Sequence, residues 1–104
     1  MSVLIYGIDN EAKDFRTLTV SSEACFRNSW EPAINQLQLM YIGDQRWLYR
    51  KDIDKILAEF NVLLDFSKDK AELENITINA QTIIDNLKEY WEESAPNAER
   101  LWMG

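Results

Sequence analysis

Residues 3–8 form a short apolar run rich in β-branched side chains. Residues 16–21 alternate polar with apolar and place Leu18 and Val20 on one face. Both patterns predict strands, and the polar stretch 9–14 is short enough to join them as a hairpin. A lone two-stranded hairpin is marginal in water, so it must lie on helices or find a third strand. Residues 46–50 predict a third short strand, with Trp47 and Tyr49 on one side and Leu48 on the other.

The remaining pattern is helical. Ser21 or Ser22 can cap a short helix running to about Asn28. Ser29 is the stronger cap, because Trp30, Glu31 and Pro32 follow and a first helical turn accepts both acid and proline. Trp30, Ala33, Ile34, Leu37 and Tyr41 then share one face, and Gly43 with Asp44 ends that helix. Asp52 caps an amphipathic helix in which Ile53, Ile56, Leu57, Phe60, Leu63 and Leu64 keep helical spacing. Residues 67–69 interrupt it. Asp69 and Glu72 form a capping-box pattern that opens the longest helix, to about Ser94, where Pro96 forbids continuation. Residues 97–103 are left as a short tail ending in Leu101, Trp102 and Met103.

The pattern therefore predicts an α+β fold over one domain, residues 1–104. An N-terminal β-hairpin, with a third short strand as an option, packs on three to four helices, the last of them long. Composition agrees: 3 Gly and 2 Pro are few for a sandwich of tight turns, and 46% hydrophobic residues suit a packed core. No apolar run approaches the ~18–20 residues that span a bilayer. The N-terminus carries no basic leader, and the single cysteine, Cys25, has no disulfide partner. Together these place the expected location in the cytoplasm.

Charge changes the picture most. The first 51 residues carry six acids and six bases, whereas the remainder carries twelve acids against five bases, the entire formal charge of −7. Between Glu72 and Glu99 only Lys88 opposes seven carboxylates. On a helical wheel, Leu73, Ile76, Ala80, Ile83, Ile84, Leu87, Tyr90 and Trp91 fall on one side. Glu74, Asp85, Glu89, Glu92 and Glu93 fall on the other, within roughly 100°, with Ile78 near the middle of the arc. Asp85–Glu89 and Glu89–Glu93 are like-charge pairs four residues apart, each costing about 0.2–0.5 kcal/mol. Acids near a helix C-terminus also oppose its dipole. A face that accepts such costs suits a basic partner: carboxylates speed encounter, and an apolar anchor such as Ile78 holds it.

Catalytic chemistry is poorly supplied. The chain has no histidine, so His-based nucleophile systems and metal sites are excluded. Cys25, between Ala24 and Phe26, reads as a small buried hydrophobe. Asp65, Ser67, Asp69 and Glu72 resemble a calcium loop, but Lys70 stands where the sharp-turn glycine belongs, so a helix stop is the better reading. Arg46, Trp47, Tyr49, Arg50 and Lys51 interleave bases with aromatics as single-strand binders do. Within an acidic chain the aromatics are expected to pack inward and the bases to pair with acids such as Asp44 or those of the long helix. A pI near 4.5 argues against phosphate-mediated nucleic-acid binding and against anionic membranes.

No enzyme and no cofactor are therefore expected. Size, acidity, aromatic content and the missing catalytic set are together similar to those of bacterial immunity proteins, which neutralise toxin domains. The resemblance covers composition and size, and it carries no residue roles. It implies a non-enzymatic acidic domain masking a basic cleft of a toxin or other partner protein, through Glu74, Ile78, Asp85, Glu89, Glu92, Glu93 and Trp102. Two alternatives stand beside it. One is a homodimeric assembly protein burying Trp102, Met103 and Ile78 against a second copy. The other is a regulatory small-molecule binder with a pocket lined by Trp30, Tyr41, Trp47 and Tyr49.

Overall fold

A computed structural model of the chain describes residues 2–7 and 16–104. The fold is α+β: a four-stranded antiparallel sheet with helices on one face and a long helix near the C-terminus. Its strands are β1 (Ser2–Tyr6), β2 (Leu18–Ser22), β3 (Arg46–Tyr49) and β4 (Arg100–Met103), in the spatial order β2-β1-β4-β3. The connection expected over residues 9–14, and Ile8 at the end of the first strand, lie outside the described residues. No helix among the described residues is long and apolar enough to cross a membrane.

The segment 97–103, expected as a tail, is instead a strand at the centre of the sheet. β4 pairs with β1 through Ile5–Met103 and Tyr6–Trp102, and with β3 through Trp47–Trp102 and Leu48–Leu101. Alternation explains the placement: Leu101 and Met103 are fully buried on the helix side, whereas Arg100 and Trp102 point to the other face. Val3, Ile5, Val20 and Leu48 join them on the inner face.

Helix α1 (Glu23–Cys25) is capped by Ser22, whose Oγ accepts from the Cys25 amide at 3.1 Å. The chain then continues through a π turn (Phe26–Trp30) into α2 (Glu31–Leu37), so Ser29 caps nothing. Pro32 gives the reason. A proline ring inside a regular helix collides with the carbonyl four residues earlier; the widened turn, with the Glu31 amide bonded to the Phe26 carbonyl, relieves that contact. α2 also stops earlier than expected. Gln38 adopts a left-handed conformation, and its amide and that of Leu39 bond back to Asn35 and Ile34. That closing motif usually takes glycine, and a glutamine there leaves no sequence signal.

α3 (Ile53–Ser67) and α4 (Glu74–Glu93) form an antiparallel hairpin and supply the layer over the sheet, α4 against β2 and α3 against β3. Neither expected cap forms: a 3₁₀ turn precedes each helix, and neither Asp52 nor Asp69 bonds the helix start. Ile56, Phe60 and Leu63 of α3 meet Ile76, Ala80, Ile83 and Leu87 of α4 in one buried cluster. Ser67 and Thr77 hydroxyls share a hydrogen bond of 2.8 Å beside the connection.

Candidate functional site

α4 presents its acidic residues outward because its apolar residues repeat at helical spacing. Ile76, Ala80, Ile83, Leu87, Tyr90 and Trp91 are buried. Glu74, Asp85, Glu89, Glu92 and Glu93 are all exposed, and Ile78 keeps 56% of its surface in solvent. Among the described residues one ion pair reaches this face, Arg16–Glu93 at 3.9 Å. Gln81 donates to Asp85 at 3.0 Å. Among the described residues, no other ion pair compensates the arc.

The C-terminal end of the helix is tied down from the inner side. Tyr90 donates its hydroxyl to the Arg16 carbonyl at 2.6 Å and accepts from the Gly7 amide at 3.2 Å, joining both ends of the β1–β2 connection to α4. Trp91 Nε1 donates to the Ala98 carbonyl at 2.7 Å. Arg50, just after β3, donates to the Trp91 and Pro96 carbonyls at 3.2 and 2.7 Å. A guanidinium there satisfies a terminal helix carbonyl and offsets the dipole that the nearby acids oppose. These bonds hold the carboxylate arc in a fixed position relative to the sheet.

Trp102 does not belong to this arc. It lies on the outer face of the sheet, edge-on to Trp47 with ring centroids 4.9 Å apart. The helices cover the inner face, so Trp102 and the α4 acids occupy opposite sides of the fold. Met103 is fully buried and is not open to a second copy.

Trp47 and Tyr49 do not pack inward as expected. Leu48 takes the inner face, and the two aromatics stand on the outer one with Leu4, Tyr6, Arg100 and Trp102. Among the described residues, no ion pair joins Arg46, Arg50 or Lys51 to an acid. Arg100 lies 3.8 Å over the Trp47 ring, and Lys51 5.8 Å from that of Tyr49. Tyr41, Trp47 and Tyr49 do share a depression of about 450 Å³ beside β3, with Met40, Arg46 and Asp52. Trp30, expected in the same pocket, is fully buried elsewhere in the core. Met40, 69% exposed, leaves no signal in the sequence because a lone methionine in a loop has no periodicity. Cys25 is partly exposed rather than buried, with the Asn75 amide against its sulfur. No group of three acids or thiols among the described residues is arranged to hold a metal ion.

Compared with protein-family models, curated proteins and solved structures, the chain matches none.

Proposed function

We propose that this chain is a non-enzymatic protein-binding domain that engages a basic partner through the outward face of α4, in the manner of an immunity protein masking a toxin's cleft. One observation carries the reading: exposed Glu74, Asp85, Glu89, Glu92 and Glu93 share the outward face of α4 with an exposed Ile78 near its N-terminal end, with a single cation, Arg16, paired to the arc among the described residues. Long-range attraction raises the encounter rate with a positive surface, and a desolvated apolar anchor slows departure. The proposed contact set is the α4 arc alone, because Trp102 stands on the opposite side.

Measured association kinetics test it. Reversing Glu74, Asp85, Glu89 and Glu92 to Lys lowers the association rate with the partner by about tenfold or more and flattens its salt dependence. Ile78→Ser leaves that rate alone and speeds dissociation. Unchanged kinetics in the reversed variant remove α4 from the interface.

A further inference from the structure

We propose that the free edge of β3 is a second docking site, which takes an extended acidic segment of a partner protein as a fifth strand. The two edges of the sheet are built differently. At the β2 edge the pairing with β1 carries an irregularity between Val3 and Leu4, and Asn79 of α4 donates its side-chain amide to the Val20 carbonyl at 2.6 Å. An irregular, side-chain-capped edge resists strand addition. The β3 edge has no such cover among the described residues.

Its hydrogen-bonding groups follow from register. The Arg50 amide bonds to the Glu99 carbonyl at 2.8 Å, and the pairs Leu48–Leu101 and Arg46–Met103 continue the same ladder. In an antiparallel ladder alternate residues face the neighbour. Trp47 therefore turns its N–H and C=O, and Tyr49 its N–H, away from β4 toward the open edge, while the Tyr49 carbonyl opens the 3₁₀ turn Arg50–Asp52. Beside them lies the depression of about 450 Å³, floored by Met40, Tyr41 and the two aromatics themselves. Its far wall is rigid, because the Glu59 carboxylate accepts from the Met40 and Tyr41 amides, both at 2.8 Å. Open backbone groups next to a shelf of mixed aromatic and polar side chains are the two elements of strand-addition recognition, one for affinity and one for side-chain choice.

Charge selects the occupant. Arg46, Lys51 and Lys55 are exposed along this edge. Lys51 and Lys55 sit 5.8 and 5.4 Å from the Tyr49 and Tyr41 rings, at the rim of the shelf. Among the described residues, Asp52 is the one carboxylate lining the depression. An incoming strand with acidic residues flanking an apolar one meets all of these. A second copy fits less well, since self-pairing centred on Leu48 sets each Arg46 opposite a second Arg50. This surface is independent of the α4 face, and the failure of one says nothing against the other.

The test is selection from a phage-displayed library of random linear peptides, followed by titration of the enriched peptides against variants. Tyr49→Pro removes an edge N–H that no ladder bond uses, at a residue whose φ of −93° lies near the proline range. Arg46→Glu with Lys51→Glu reverses two exposed charges. The expected pool is acidic with alternating apolar positions, and its affinity falls about tenfold in each variant, while the far-ultraviolet spectrum and melting of both variants stay native. No enriched pool, a basic pool, or binding indifferent to Tyr49→Pro overturns the proposal. So does a dimer in sedimentation that Tyr49→Pro dissolves, which would give the edge to a second copy.

Discussion

Glu89→Lys should make this protein more stable, and the size of the gain follows from its neighbours. Glu89 is exposed on α4, with Asp85 one turn before it and Glu93 one turn after. Each like-charge pair costs about 0.2–0.5 kcal/mol, and each opposite pair gains as much. Converting two repulsions into two attractions is therefore worth about 1–2 kcal/mol. Arg16 subtracts from this: it borders the same small depression as Glu89 and Tyr90, and a lysine there meets it at a cost of a few tenths of a kcal/mol. The net expectation is a gain of about 1 kcal/mol, a rise in melting temperature of roughly 4 °C for a chain of this size. Urea titration in low salt measures it. Because exposed pairs are screened, the gain should shrink by half or more in about 1 M NaCl, where the Debye length is about 3 Å. A loss of stability, no change, or a gain that ignores salt would refute the claim that the arc is held against its own electrostatic cost.

Other variants probe the frame that holds the arc. Arg50→Met removes both bonds to the Trp91 and Pro96 carbonyls and should cost about 2–3 kcal/mol in urea unfolding, with Arg50→Lys recovering part of it. Trp91→Phe should cost about 1–3 kcal/mol more than Trp30→Phe, since Trp91 Nε1 donates to Ala98 whereas Trp30 Nε1 is unpartnered among the described residues; equal losses would contradict that difference. Glu59→Gln leaves one acceptor for two amides, so hydrogen exchange at Met40 and Tyr41 should speed up selectively. Ile83→Ala should cost about 2–5 kcal/mol and Ile78→Ala less than about 0.5, read by the same titrations, because one is fully buried and the other mostly solvated.

What was legible in the sequence was whatever repeats with a period. The two N-terminal strands, the third strand at Trp47–Tyr49 and both long helices announce themselves through alternation or helical spacing, and so does the outward placement of the α4 acids. β4 is not legible: four alternating residues after a proline-bearing turn look like a tail until a partner strand is known, and here both partners are distant in sequence. The end of α2 was hidden for a different reason, since Gln38 does a glycine's work at φ 56°. The inward direction expected for Trp47 and Tyr49 is wrong because alternation separates two faces without saying which one is covered. Only the positions of α3 and α4 settle that, and with it the open β3 edge that no local pattern reveals.

The most direct test of the α4 reading is affinity capture from lysate of the protein's own source cells. Wild-type bait and the Glu74, Asp85, Glu89 and Glu92 to Lys variant are run in parallel at low and high salt. The account predicts a basic protein held near stoichiometrically by the wild type, weakened by salt and missing from the reversed bait. A partner retained equally by both baits, or no partner at either salt, would contradict it.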